Sequence, residues 1–504
     1  MDIRKNLPVI FLFCICVFCL VLARNKPVGD FGNYYYGSKI FSKTGSALSL
    51  YSDIHQFNEQ IKIFGEKNFF ENYIPVPPFS IILYYPFIFF KCSTAKLVFN
   101  ILGALLICFS TRRFLRLESK SGYPYAFAIF ALLLPLFNNM VQGQSYTIIA
   151  ALLLEIYIAR QKGRHVLIGC LIALIFHIKL FPAFILFYFI VKKEFKVVLW
   201  SLLMIVLLLV ITVSVVGGGV VTHYFEEIVP RLFKNEIVDP FYAGHQSLHV
   251  FLTNVFCYDG LSNPYPLVNM PAVAAVIEGV VVGLLLYLSA AIIKWRDECV
   301  TYGMFSFLII VINKYIPSYS LLILFPFILS VFNLRKSFLI LVLLTLACNL
   351  PMSWFAGSNS VVMFSRAIIL LSVYSIVVFE FKPVVNYLKL TAVIFIVVLS
   401  MLLTVDEREE FYVKDTNRKG VYYSLDIEGN QLLLKRCMGS TDYIEELPFP
   451  GVIRSVQSIA SHPLLNSKKE NVKNIFLINQ NTLVYLSDIN QGVGMLKPRI
   501  RQLR

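Results

Sequence analysis

The sequence predicts an all-α polytopic membrane protein of about 13 transmembrane helices, followed by a small β-containing domain. Three observations carry this. Hydrophobic residues make up 57% of the 504 and charged residues 15%, with a mean hydropathy of +0.70, too apolar for one or two buried cores to keep in solution. Apolar stretches near the ~20 residues that cross a bilayer recur almost from end to end, as in 195–216, 272–293 and 361–379. Only helices satisfy their own backbone in such runs. Finally, Lys and Arg gather in short clusters between alternate runs, which fits the cytoplasmic bias of basic residues beside spans.

Taken in order, the chain opens with a basic segment, 1–8, before the apolar run 9–23. That pattern also describes a signal peptide, but Val21-Leu22-Ala23 is a weak cleavage site, so a retained first span is expected. With Arg4 and Lys5 inside, the clusters at Arg112, Arg113 and Arg116, at Arg160, Lys162 and Arg164, at Lys192, Lys193 and Lys196, at Lys294 and Arg296, at Arg335 and Lys336, and at Lys382 and Lys389 all fall on the same side. The stretch 77–90 is apolar but short; counting it as a span would put Arg112, Arg113 and Arg116 outside. It is expected to lie on the outer membrane surface. From about Val405 charged and polar residues mix with short apolar runs, so the boundary is set at 1–404 and 405–504, with the second part extracytoplasmic. Glu428-Gly429-Asn430 and Asn479-Gln480-Asn481 read there as hairpin turns. The net charge of +15 follows topology rather than one basic face, so no nucleic-acid partner is expected. Cys14, Cys16 and Cys19 sit in the first run without polar company and read as packing residues.

Polar residues at membrane depth are costly and mark the working side, which here is the outer half. The first outer loop carries Asp30 and then Tyr34, Tyr35 and Tyr36. A carboxylate there can take a proton from a hydroxyl, and Tyr faces can stack on a sugar or polar head group; a solvated acid beside an interfacial aromatic belt is the plainer alternative. Lys179 and Arg366, near the outer ends of their runs, can neutralise a phosphate or simply snorkel. Gln144 can hydrogen-bond sugar hydroxyls or cap its own helix. His245, Gln246 and His249 lie in a polar loop where an imidazole can move a proton or, when charged, hold a phosphate. The acids at 226, 227, 236 and 239 match no metal spacing, and neither metal nor cofactor is expected.

In order and spacing, Asp30 with its tyrosines, Pro75-Val76-Pro77-Pro78, Gln142-Gly143-Gln144-Ser145, Lys179-Leu180-Phe181-Pro182, Gly244-His245-Gln246-Ser247-Leu248 and the 313–319 segment with Lys314 and Tyr319 resemble one known family. This is the polyprenol-phosphate-mannose-dependent mannosyltransferase-like family of the GT-C class. The likeness spans roughly 24–329. It implies a GT-C-like fold and an inverting transfer of a sugar, such as mannose, from a polyprenyl-phosphate donor to a lipid or glycan hydroxyl on the extracytoplasmic side. Asp30 would be the base; Tyr34, Tyr35, Gln144, Lys179, His245, Gln246, His249, Lys314 and Tyr319 would line the substrates, with Arg366 added by position alone. Leu180 stands where members usually have Pro, and 313–319 lacks their Trp and paired histidines.

A lipid-linked glycan polymerase or ligase would instead place its chemistry in the loop 217–270, and a transporter or flippase would carry midplane charges and two related halves. The resemblance points to a bacterial inner membrane, with membrane lipids as neighbours.

Overall fold

The computed structural model describes residues 3–52, 54–64, 71–120, 122–233, 237–258, 263, 266–294, 297–355, 360–381, 383 and 385–402, and the strands lying between 421 and 502. The longer helices are Ile3–Ala23 (α1), Phe31–Thr44 (α2), Cys92–Leu117 (α3), Leu133–Gln142 (α4), Tyr146–Gln161 (α5), His165–Ile178 (α6), Phe195–Val216 (α7), Leu248–Phe256 (α8), Pro271–Ala291 (α9), Glu298–Ile312 (α10), Ser337–Asn349 (α11), Ser365–Glu380 (α12) and Tyr387–Leu402 (α13).

Among the described residues, four helices are long and apolar enough to cross a membrane: α1, α3, α7 and α9. A fifth arises if Tyr123–Phe130 and α4, bent by 51° at their junction, act as one span. The expectation of about 13 full spans is therefore not met. Composition shows where an apolar run lies but not where its helix breaks. The run after Ser318 begins as a 3₁₀ segment, Ser318–Leu324, before turning α-helical, and Phe181–Ile185 likewise precedes Leu186–Val191. Helices of 10–17 residues result. At 1.5 Å per residue they reach about 15–25 Å, short of the ~30 Å hydrocarbon layer. The stretch expected to lie on the membrane surface is the short helix Ser80–Phe89.

The core is built on α5, which is buried on nearly every side between α3, α6 and the Ser318–Leu324 segment. Cys16 and Cys19 of α1 are buried in the same cluster, while Cys14 is exposed. The C-terminal end of α5 is pinned by charge: Arg160 meets Glu194 and Glu298, Lys192 also reaches Glu298, and Arg113 holds Glu155. The opposite end, at Tyr146, lies about 21 Å away along the axis and carries the polar groups described next.

From residue 421 onward the described residues are strands. Val421–Glu428 (β1), Gln431–Met438 (β2) and Thr441–Leu447 (β3) form one antiparallel sheet in that order. Ile453–Val456 (β4), Val472–Ile478 (β5), Thr482–Ser487 (β6) and Lys497–Gln502 (β7) form a second. β1 lies beside β5, β6 and β7, and Phe476 and Tyr485 are buried. Gly429 and Asn430, and the turn Asn479-Gln480-Asn481, lie outside the described residues, as do Glu236, Arg296 and Lys382.

Candidate active site

Asp30 stands at the N-terminus of α2, where an acid ordinarily spends its carboxylate capping the helix. Here it makes no side-chain cap bond. Instead Oδ2 accepts from Gln144 Nε2 at 2.7 Å and from the Tyr319 hydroxyl at 3.1 Å. The Tyr34 hydroxyl donates to Gln144 Oε1 at 2.8 Å, which fixes the amide so that its NH₂ faces the acid. Two donors from distant parts of the chain, one of them held by Tyr34, thus converge on one carboxylate, which is only half-buried and so remains reachable.

Two glycines allow that convergence. Gly29 has φ +62° and Gly143 has φ +65°, backbone that side-chain-bearing residues rarely adopt. A Cβ on Gly143 would sit 2.6 Å from Phe31 Cβ, and one on Gly29 would overlap Gln142. The two loops therefore interlock, with Gln142 Oε1 accepting from the Asp30 amide at 3.3 Å. Asn139 organises the second loop: its Nδ2 donates to Thr147 Oγ1 at 2.8 Å and its Oδ1 accepts from the Tyr146 amide at 3.1 Å. Lys96 of α3 ties both together, donating to the carbonyls of Pro27 and Val141.

Lys179 follows α6 in extended backbone, and its Nζ lies 5.6 Å from the Tyr34 ring centroid and 5.9 Å from that of Tyr146. Its charge is thereby placed beside the Tyr34–Gln144–Asp30 chain. Tyr35 points elsewhere: buried, it donates from its hydroxyl to the Phe90 carbonyl at 2.8 Å, so it anchors the end of the short helix Ser80–Phe89 instead of lining a path to Asp30. Sequence reasoning missed Glu71, which is buried behind this site. Its backbone is clamped by Asn58, which donates to the Glu71 carbonyl at 2.9 Å and accepts from its amide at 2.9 Å. Burial pushes the Glu71 carboxyl well above its ordinary range; the Asp30 charge adds to this and Lys96 opposes it. In sequence it is one acid in a mixed polar loop, with no pattern to distinguish it.

A second polar group forms around the N-terminus of α8. Ser247 caps that helix, accepting from the Val250 amide at 3.1 Å, and donates to the Lys314 carbonyl at 2.5 Å. His249 Nδ1 lies 2.8 Å from Glu278 Oε2 on α9. The His245 ring packs edge-on against Tyr242 and Tyr315, and burial holds its pKa down to about 4, so at neutral pH it is an uncharged imidazole. Lys314 Nζ donates to the Phe233 carbonyl at 3.0 Å; burial lowers its pKa, and Glu278 opposes the shift. The Gln246 amide donates to the Ile316 carbonyl at 3.1 Å, so this group and Tyr319 hang on one segment. Ile316 and Tyr319, three residues apart, are at most ~11 Å from each other along the chain.

Arg366 does not join either group. It is buried at 2% exposure, with Nε donating to the Ala347 carbonyl at 2.7 Å and a terminal nitrogen to that of Leu350 at 2.8 Å. It satisfies a last-turn carbonyl of α11, Ala347, and that of Leu350 just after the helix. Among the described residues no cluster of three or more His, Cys, Asp or Glu has the arrangement of a metal site.

Residues 76–323 match the model of Glycosyltransferase family 87. The match supports a membrane glycosyltransferase, and it stands at the level of this GT-C-like family, not of the mannosyltransferase-like group within the class. Comparison with curated proteins finds no match. The family 87 segment holds Gln144, Lys179, His245, Gln246, His249, Lys314 and Tyr319. Asp30 and Tyr34 precede it, and hydrogen bonds from Gln144 and Tyr319, inside the segment, bring Asp30 to it.

Proposed function

We propose that the protein transfers a sugar, a hexose such as mannose, from a polyprenyl-phosphate donor to a hydroxyl of a lipid or glycan, with Asp30 as general base and inversion at the sugar carbon. The observation that carries this reading is the Asp30 carboxylate: withdrawn from helix capping, oriented by two donors and left half-exposed. Asp30 takes the acceptor's hydroxyl proton while the acceptor oxygen bonds to C1 from the face opposite the phosphate. The C1–O electron pair leaves with the phosphate, which gains one negative charge. Lys179, beside Tyr34 and Tyr146, is placed to offset that charge. Tyr34 and Gln144 hold the base in position. The same reading sets the reaction on the outer face of a bacterial inner membrane, with residues 405–504 beside the acceptor.

The test is transfer of radiolabelled sugar from polyprenyl-phosphate donors into membrane lipids or glycans by wild type and Asp30→Asn at matched protein levels. The amide cannot accept the proton, so the variant should lose about 10²–10⁴-fold in rate. Full activity in Asp30→Asn would refute the assignment and move attention to the loop 217–270, the place a polymerase or ligase would use.

A further inference from the structure

Resting on the reading above, we infer that His249, positioned by Glu278, grips the phosphate of a lipid phosphate at the N-terminus of α8, with the hydrocarbon chain in the groove between α8 and α12. Glu278 sits in α9, a helix long and apolar enough to span, where an acid is costly unless paired. Its partner is His249 Nδ1 at 2.8 Å. A carboxylate only accepts, so Nδ1 carries a hydrogen toward Glu278, and the ring's other nitrogen is left for a ligand.

A tie between two helices would need nothing more than this contact. The surrounding atoms say otherwise. His249 Nε2, Gln246 Oε1 and His245 Nδ1 are all buried without a hydrogen-bond partner among the described residues, within five positions of one another. Gln246 is wholly inaccessible, and its Nε2 is already spent on the carbonyls of Ala243 and Met363. Buried polar atoms are ordinarily paired, and of these orphans the ring nitrogen of His249 can donate to an anion, whereas Gln246 Oε1 only accepts and would need a hydroxyl. The sign of the ligand's charge follows from the company: the α8 N-terminus with its positive dipole end, and an imidazole whose Nδ1 faces the Glu278 carboxylate. With a proton on each ring nitrogen, His249 donates Nδ1–H to Glu278 and Nε2–H to a phosphate oxygen.

The lipid part has its own observation. Leu248 and Phe251 of α8, with Leu371, Ser372 and Ser375 of α12, line an apolar groove of about 430 Å³. Leu248 precedes His249, so the groove starts where the polar group ends. A free phosphate would use the polar group alone; an amphiphile with one anionic head uses both.

The experiment is isothermal titration of the full-length protein in detergent with a short isoprenoid monophosphate, the isoprenoid alcohol of the same length, and inorganic phosphate. Glu278→Gln and His249→Gln should each weaken the isoprenoid phosphate about tenfold or more, the worth of a charge-assisted hydrogen bond, and leave the alcohol unchanged. Ser372→Trp, a substitution on the exposed groove wall, should weaken the isoprenoid phosphate and spare inorganic phosphate. Asp30→Asn, dead in transfer, should bind the isoprenoid phosphate like wild type, so failure of the base assignment and failure of this site read differently. In transfer assays Glu278→Gln should raise the donor KM and leave the acceptor KM alone, with Glu278→Asp partly restoring it. Unchanged binding in both Glu278→Gln and His249→Gln overturns the phosphate grip. Inorganic phosphate binding as tightly as the isoprenoid phosphate overturns the groove's part.

Discussion

Gln144→Glu is the sharpest probe of the Asp30 site, because it changes one nitrogen to oxygen at a contact whose length is known. The amide nitrogen donates to Asp30 at 2.7 Å. Replacing it puts a second carboxylate oxygen at that distance and removes a charge-assisted hydrogen bond worth about 1.5–3 kcal/mol. Two unit charges 2.7 Å apart repel by roughly 6 kcal/mol at an effective dielectric of about 20. That exceeds the cost of holding one proton at neutral pH, so the pair titrates as a dyad that keeps a shared proton. A base already sharing a proton accepts another poorly. Transfer at pH 7 should fall about 10²–10⁴-fold, the usual worth of general base catalysis, and the ascending limb of kcat against pH should move to higher pH, since the second proton must now leave before Asp30 can act. Gln144→Met, which loses the donor without adding charge, should cost about 10- to 100-fold and move the limb less than Gln144→Glu does. The assay is the same radiolabelled transfer, run across pH on purified protein whose melting temperature has been matched. If Gln144→Glu and Gln144→Met behaved alike, with no alkaline shift, Asp30 would not be the proton acceptor and its contact with Gln144 would be structural.

Two further outcomes follow from buried groups. Glu71 binds its proton more tightly folded than unfolded, so wild-type stability should decline as pH rises from the ordinary carboxylate value of 4.5 toward the raised folded value, and Glu71→Gln should abolish that decline. Thermal melts of the two proteins from about pH 5 to pH 8 check it; a constant difference between them would show that Glu71 is not buried as an acid. Arg366→Met removes the donors to the carbonyls of Ala347 and Leu350, at about 1–3 kcal/mol for each acceptor left unpaired. The melting temperature should drop while the donor KM at a permissive temperature stays unchanged. A raised donor KM without loss of stability would return Arg366 to the phosphate.

Much of the candidate site was legible because its residues sit beside the chain's punctuation. Asp30 follows a glycine just after an apolar run, Gln144 follows Gly143, Lys179 precedes Pro182, and Tyr319 follows Pro317. Each marks a place where a helix ends and a polar side chain is released at the same level of the fold. What the sequence could not convey was the partner of each group. Tyr34 and Tyr35 are adjacent and chemically identical, yet a helix turns successive residues by about 100°, so one hydroxyl reaches Gln144 and the other Phe90. Arg366 and Lys179 both lie at the ends of apolar runs; only packing reveals that the guanidinium is consumed by helix carbonyls. Span counting failed for the same reason. Hydropathy sums over a run and is blind to a 3₁₀ start such as Ser318–Leu324, which shortens the helix that follows.

That irregular start is also what lets one segment serve two groups. A regular helix from Asn313 onward would carry Lys314 and Tyr319 about 7.5 Å apart along a single axis, with every amide and carbonyl from the second turn on spent inside the helix. In the extended stretch before Ser318, the backbone carbonyls of Lys314 and Ile316 are free to accept from Ser247 and from the Gln246 amide, which fastens the α8 loop to the segment. Asn138 then donates to Ser318 Oγ at 2.7 Å, fastening the other side to α4, six residues before Gln144. The Tyr319 hydroxyl of the same segment donates to Asp30. If the segment moves as one piece, a shift at α8, where the lipid phosphate is inferred to bind, reaches through Ile316 and Ser318 the hydrogen bonds that aim the base. Asn138→Ala cuts that connection at its far end without touching Asp30, and it should lower kcat while leaving isoprenoid-phosphate binding intact. If binding and kcat fell together, the two groups would be one rigid site and the segment would not be the link between them.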